Sequence, residues 1–293
     1  MPHIRPASPK DEDRTPRKPL TRRQFLSRVA VGAVALTALD VGARADERDW
    51  LQITHTDVPI AGWPRSLDRY TIGLMADFHC HGDQSHARVV RAARMLLGEK
   101  PDVVVLAGDF VTSGHMKWME MCADALSPLV GVPGGAFAVL GNHDWWCLRP
   151  DEVVHHLRRV GIRLLRNETV AVKGIDLSFT GVDDVWMGAE DLALAMKHAP
   201  PTGHRILIVH EPDYADVAGP GFALQLSGHS HGGQIRIPGL PAIHTPHLAR
   251  RYVEGLEQSA THPLYTTRGV GTTGIPVRFH CPPEISLIHL RAA

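Results

Sequence analysis

The sequence predicts an α/β protein built on a largely parallel, buried sheet, with a second sheet forming late in the chain. Three observations carry that expectation. Short apolar runs recur at Thr71–Met75, Val103–Ala107, Ala136–Leu140, Arg205–Val209 and Ala223–Leu226, and such runs suit strands covered on both faces. Helical patterns lie between the early runs, at about 85–98, 115–130 and 150–160. Strand–helix–strand alternation implies parallel pairing. Toward the C-terminus the pattern turns strand-rich, at 234–237, 251–256, 263–267 and 284–290, punctuated by Gly and Pro. That stretch reads as a second sheet packed against the first.

The 293 residues suffice for one large α/β domain, and 44% hydrophobic residues suit a globular core. Formal charge is zero but unevenly spread. Residues 1–45 carry nine Lys/Arg against four Asp/Glu, and the remainder carries 22 against 27. An acidic body argues against general nucleic-acid binding, which needs a basic face. Nineteen histidines raise the expectation of a metal. The four cysteines form no C-x-x-C pair, which disfavours a structural zinc knot. Cys80 and Cys147 each follow a motif residue, so they either pair in an oxidising compartment or stay as free thiols.

Residues 1–45 read as an address. Arg22-Arg23 with Phe25-Leu26 precedes an apolar stretch, Val29–Leu39, and then Ala43-Arg44-Ala45. A basic start, a short apolar run and a small-x-small site make a signal peptide, and the paired arginines resemble the bacterial twin-arginine signal. The expectation is an exported body, residues 46–293, carried by the twin-arginine machinery and residing in the periplasm or at the outer face of the membrane. An uncleaved leader would tether it there.

Ligands of open α/β sheets gather at the carboxyl ends of the strands, so the residues after each apolar run matter most. The first run is followed by Asp77-Phe78-His79, whose outer two residues face one side in extended chain. Gly108-Asp109 follows the second; the glycine permits a sharp turn and the carboxylate can bridge two cations. The third leads into Gly141-Asn142-His143-Asp144. Asn142 offers a neutral oxygen ligand, His143 a proton donor, and Asp144 a carboxylate to orient that imidazole. The fourth ends at His210-Glu211-Pro212, and the fifth at Ser227-Gly228-His229-Ser230-His231-Gly232-Gly233-Gln234. Each block alone has a plain turn as its alternative. Together they share one context, at spacings of 32, 33, 68 and 19 residues, and the first two gaps match βαβ units.

This order of blocks resembles the calcineurin-like metallophosphoesterase superfamily over roughly residues 70–235. The tail, with Arg268-Gly269-Val270-Gly271, Pro276-Val277-Arg278 and Cys281-Pro282-Pro283-Glu284, resembles a bacterial branch of exported or membrane-linked phosphodiesterases, similar to enzymes that cleave UDP-diacylglucosamine. The resemblance implies a four-layer αββα sandwich holding two divalent ions. Asp77, His79 and His231 would hold the first, Asn142, His210 and His229 the second, and Asp109 would bridge them. Related purple acid phosphatases carry a tyrosine ligand where this chain has Thr112, so an iron–tyrosinate is not expected.

Mixed nitrogen and oxygen ligands suit Mn, Fe, Zn, Ni or Co. Four positive charges against Asp77, Asp109, a shared hydroxide and a phosphodiester anion leave a neutral site. Two ions of this kind activate water and clamp phosphoryl oxygens in an in-line displacement. His143, oriented by Asp144, would stabilise the transition state or protonate the leaving oxygen. Arg268 and Arg278 are candidates for a second phosphate or a nucleotide, with surface or sheet-edge ion pairing as the alternative. Trp118, Trp145, Trp146 and Trp186 would fill core under long loops or line an apolar groove. The expected substrate is a small phosphodiester or a lipid-linked pyrophosphate. Alternatives are a phosphomonoesterase and a non-catalytic metal-binding protein on the same scaffold.

Overall fold

The computed structural model describes residues 47–112, 115–147 and 150–293. The chain divides into two units, Met1–Ala43 and Arg44–Ala293, and the described residues belong to the second. The expected export segment, residues 1–45, lies outside the described residues.

The apolar runs become strands where expected. β1 (Gln52–Ile60), β2 (Tyr70–Met75), β3 (Val103–Ala107), β4 (Ala136–Val139) and β5 (Arg163–Leu164) belong to one sheet, with the C-terminal β12 (Glu284–Ala292) inserted between β1 and β2. β2 to β5 are parallel, while β12 runs antiparallel to β2 and parallel to β1. The second sheet orders β10 (Gly255–Gln258), β11 (Pro263–Thr266), β9 (Leu224–Ser227), β8 (His204–Ile208), β7 (Leu177–Gly181) and β6 (Glu168–Ala171). Two expectations are corrected. The 284–290 strand completes the first sheet rather than the second, because its first five residues are all buried and need cover on both faces. The 234–237 segment forms only an isolated bridge, Ile235 to Phe279.

Alternation along each strand builds the layers. Val103, Val105 and Ala107 of β3 face the second sheet, where they meet Phe179, Ile206, Ile208 and Leu226. Val104 and Leu106 face the other way, onto α1 (Asp83–Gly98) and α2 (Met116–Leu126). From α1 come Val89, Ala92 and Leu96, and from α2 come Met119, Cys122 and Leu126, all fully buried. Each large apolar side chain so buried contributes about 1.5–3 kcal/mol. Close packing here needs Gly73: a Cβ on it would lie 2.6 Å from Leu96 Cδ1.

Beyond the second sheet, Leu207 and Val209 pack on Ala195 of the short helix α5 (Leu192–Met196) and on Tyr214 and Phe222. The order helix, sheet, sheet, helix is the αββα sandwich, with a thin fourth layer. α3 (Asn142–Cys147) and α4 (Pro150–Arg159) follow β4 on the first side. Among the described residues no helix is long and apolar enough to cross a membrane.

Candidate metal centre

In register, Met75 pairs with Leu106, Ala107 with Val139, and Ile208 with Leu226. The carboxyl ends of β2, β3 and β4, and those of β8 and β9, are therefore level within their sheets. There the backbone leaves ordinary geometry: Asp77, His79, Asp109, His229 and His231 all have φ between 45° and 70°. A left-handed conformation costs a residue with a Cβ about 1–3 kcal/mol and clusters at functional sites. Cross-loop hydrogen bonds hold it. Asp77 N–H donates to the Gly108 carbonyl and His79 N–H to the Asp109 carbonyl, both at 3.0 Å. The Asp77 carboxylate accepts from His229 N–H at 3.0 and 3.1 Å.

The loops bring the side chains together. Candidate ligand atoms of Asp77, His79 and His231 lie within 4.8 Å of one another, as do those of Asp109, His210 and His229. Asp109 joins the two groups: its Oδ2 is 3.4 Å from His79 Nε2 and 3.3 Å from His210 Nε2. His79 Nε2 and His231 Nε2 face each other at 3.0 Å, and His231 Nε2 is 3.5 Å from Asp77 Oδ1. The opposite ring atoms are occupied. His210 Nδ1 donates to the Ala107 carbonyl at 2.6 Å, His229 Nε2 donates to the His247 carbonyl at 2.7 Å, and His79 Nδ1 pairs with Thr112 Oγ1 at 2.8 Å. Such partners fix the ring and leave the other nitrogen as a ligand.

The residues fit a divalent cation. Asn142 Oδ1 and His210 Nε2 are buried without a hydrogen-bond partner, beside two buried carboxylates. Orphaned polar atoms at such a place need an explanation, and a mixed nitrogen–oxygen donor set is what first-row divalent ions take. Burial lowers the pKa of His79 and of His229 to about 3, and pushes His231 down as well. These imidazoles are neutral at physiological pH, the form that ligates. For His210, burial works the same way, but Asp109 and Asp77 outweigh it and hold the imidazole well above its ordinary value. Burial raises Asp77 to about 7.

A family model for the calcineurin-like phosphoesterases matches residues 70–233, the span that carries all five strand ends. The chain belongs to that family. It is similar to the metallophosphoesterase YkuE of Bacillus subtilis (strain 168), at 30% identity over 94% of this chain and 99% of YkuE. It is also similar to phosphodiesterase YaeI of Escherichia coli (strain K12), at 30% identity over 92% of this chain and 99% of YaeI. A transmembrane protein with metallophosphoesterase domain from Danio rerio is 28% identical over 83% of this chain and 58% of its own length. The protein is a metallophosphoesterase, a hydrolase of phosphoric esters.

The structure departs from the expected roles of Asp144 and Arg278 and gives Arg268 its ion-pairing alternative. Asp144 does not orient His143; its carboxylate accepts from the N–H groups of Asp109, Phe110 and Gly141 at 2.9–3.0 Å. It ties the β3 and β4 loops together, so that Asp109 and Asn142 keep their spacing. Arg268 pairs with buried Glu284, Nε to Oε2 at 3.0 Å. Arg278 is fully buried, and its guanidinium donates to the carbonyls of Gly271, Arg268, Gly269, His231 and Cys281. Both arginines support the ligand loops from behind. The cysteines are free, and Cys147 Sγ donates to the Thr112 carbonyl at 2.8 Å.

The candidate ligands open into a cleft of about 300 Å³, walled by His143, Trp146, Trp186, His247, Arg250 and Thr273. Trp146 and Trp186 meet edge to face there, 45% and 38% exposed, whereas Trp145 packs inward and donates to Asp183. Sequence reading missed Thr112 as a partner of His79, the His247 carbonyl, and Arg250. Thr112 lies near a motif block but carries no spacing signal, and His247 and Arg250, 18 and 21 residues after His229, carry none either. A larger cavity of about 670 Å³, lined by His204, Phe222 and Ala223, lies at the opposite strand ends and holds none of the motif residues.

Gly108 combines a tight approach with a left-handed backbone. Its φ is +89°, and a Cβ there would meet Gly141 N and His210 Nδ1 at 2.7 Å. Gly108→Ala should destabilise by roughly 2–5 kcal/mol, from strain plus overpacking, and lower bound metal. Thermal unfolding and elemental analysis would check it; an unaltered melt with full metal would mean the loops yield more readily than their packing implies.

Proposed function

We propose that the chain hydrolyses a phosphodiester or pyrophosphate bond with two divalent ions, outside the cytoplasm or at the membrane surface. The observation that carries the reading is Asp109, buried between the two ligand groups with one oxygen within 3.4 Å of both His79 and His210. Bound ions would supply an activated water and positive charge for the phosphoryl oxygens. The chain's own part is placement. Asp109 Oδ1 accepts from His143 N–H at 2.8 Å, which ties the start of α3 to the metal cluster. The His143 ring stands edge-on to His79 and to Trp146, each at a 4.8 Å centroid distance. Its Nε2 reaches only a distant 3.5 Å contact with Thr273 Oγ1, and its Nδ1 has no partner. A half-buried imidazole facing the cleft is suited to hand a proton to the departing oxygen.

Preference for diesters is supported by the similarity to YaeI, a phosphodiesterase. The extracytoplasmic location is supported by the paired arginines at 22 and 23 and by the transmembrane Danio rerio relative. Cell fractionation tests the location, and recovery of the chain in the cytoplasm alone removes it from the reading.

The chemistry is tested with the full chain loaded with Mn²⁺, on bis(p-nitrophenyl) phosphate and on p-nitrophenyl phosphate. The diester should turn over faster, and chelation followed by Mn²⁺ return should abolish and restore the rate. His143→Ala should lower kcat by about 10²–10⁴-fold while bound metal stays constant. Loss of metal in that variant would make His143 a ligand instead of an acid. Faster turnover of the monoester would replace the diester preference with a phosphomonoesterase.

A further inference from the structure

We propose that His55 and His289, with a carboxylate from Asp57 or Glu99, form a separate cation site on the outer face of the first sheet, for a first-row divalent ion such as Zn²⁺. His55 and Asp57 lie two apart on β1 and both are exposed, so they share one face. In register Asp57 pairs with His289 of β12, and His289 pairs with Thr71 of β2. Glu99, at the C-terminal end of α1, comes to the same place: its Oε2 is 3.8 Å from His55 Nε2. Thr71 stands near the start of β2, six residues before Asp77. At a strand rise of about 3.3 Å, the pair is roughly 20 Å from the candidate metal centre, and the two clusters share no residue.

The cluster is short of positive charge. The Thr71 hydroxyl donates to the Arg69 carbonyl at 2.8 Å, so toward His289 it can only accept, and His289 Nδ1–H donates to it at 2.9 Å. His289 Nε2 is then a bare lone pair. His55 Nδ1 faces it at 3.1 Å, with the rings 11° from coplanar, and must supply the N–H between them. In the neutral ring that leaves His55 Nε2 without a proton, facing the Glu99 carboxylate, acceptor against acceptor. An ordinary imidazole takes a second proton only below about pH 6.5, whereas a divalent ion serves such a set at neutral pH. Burial and the neighbouring His55 hold His289 below its usual range, which keeps it in the neutral form that ligates.

The spacing suits an ion. The 3.1 Å between His55 Nδ1 and His289 Nε2 is close to the 3.0 Å between His79 Nε2 and His231 Nε2 in the candidate metal centre. Two imidazoles on a tetrahedral ion, with bonds of about 2.0–2.1 Å, have their nitrogens roughly 3.3 Å apart. A tilt of the exposed His55 ring would aim both lone pairs at one point. The Thr71 hydroxyl fixes the His289 ring from behind, as Thr112 does for His79. Arg69 and Arg291 border the patch, but Arg291 lies closer to Asp68, at 3.4 Å, than to Asp57, at 4.0 Å. A bound ion would staple β1, the edge strand of its sheet, to β12 and to the end of α1.

The test is a zinc count. The full chain is stripped with chelator and brought to equilibrium by dialysis against Zn²⁺, and metal per chain is read by mass spectrometry. His55→Ala and His289→Ala should each bind one equivalent less than the parent, a difference that does not depend on how many ions the candidate metal centre holds. His55→Gln can still donate to His289 and should lose the same equivalent, which separates ligation from the hydrogen bond. The double variant Asp57→Asn/Glu99→Gln should lose it too. The Mn²⁺-dependent rates of these variants on bis(p-nitrophenyl) phosphate should match the parent's. Equal zinc in the parent and in both histidine variants overturns the proposal and leaves the pair as an imidazole–imidazole hydrogen bond. Retention of the equivalent by the double carboxylate variant overturns it as well. A parent without diester activity defeats the hydrolase reading alone, and the zinc count still decides this one.

Discussion

Asp109→Asn is expected to cut turnover by about 10³-fold or more, beyond the roughly 10–100-fold that losing an outer partner of a metal ligand costs. The substitution removes charge and little else. Asparagine tolerates the left-handed φ of +57° at this position, and its oxygen can still accept from His143 N–H. What disappears is the negative charge within 3.4 Å of both His79 and His210. One ion, or both, should then be lost on dialysis, read as metal per chain by mass spectrometry. The metal-free variant should still fold, because the backbone contacts of the loop remain, but it should melt somewhat lower than the metal-free parent since the buried Asp109–His210 pair is lost. A variant that retains both ions and the full rate would show that Asp109 does not bridge.

The second large effect is on stability. Arg278→Met keeps the apolar stem and deletes the guanidinium buried behind His231. Burial lowers its pKa to about 10, still above neutrality, so the native side chain is charged. The carbonyls of Arg268, Gly271 and Cys281 lose this donor together. At about 1–3 kcal/mol for each orphaned buried group, partly relieved by relaxation, the loss should be roughly 3–5 kcal/mol. For a chain of this size that lowers Tm by on the order of 10 °C. Arg278 Nη2 also lies 3.4 Å from His231 Nδ1, so the ring that turns Nε2 toward Asp77 loses a support. Metal affinity should drop as well. Melting the metal-free protein separates the two effects. An unchanged metal-free Tm would assign Arg278 a role other than clamping the 268–271 and 281 backbone.

How far the sequence could be read depended on range. The five strand-end blocks were legible because an apolar run, a glycine and a polar residue with two-residue spacing are local features of a strand and its turn. Asp77, His79, Asp109, Asn142, His210, His229 and His231 stand in those blocks; the family resemblance implied their roles as ligands, and the structure places them at one end of the two sheets. β1, β5, β6 and β7 were not foreseen: exposed positions dilute the apolar pattern of β1 and β6, β5 is only two residues long, and the buried β7 carries polar Ser178 and Thr180. Arg268, Arg278 and Arg250 were indistinguishable as letters. The fold makes the first an ion-pair partner, the second a buried backbone clamp, and leaves the third facing the cleft.

The sequence by itself determined the parallel strands, their order of ligand-bearing turns and the chemical kinds of ligand, because hydrophobic period and turn residues act over a few positions. The tertiary structure alone decided that β12 closes the first sheet, that Asp144 binds backbone instead of His143, and which arginine remains free. Those outcomes depend on which distant groups meet a charge when water is removed, and nothing within a few residues encodes that meeting.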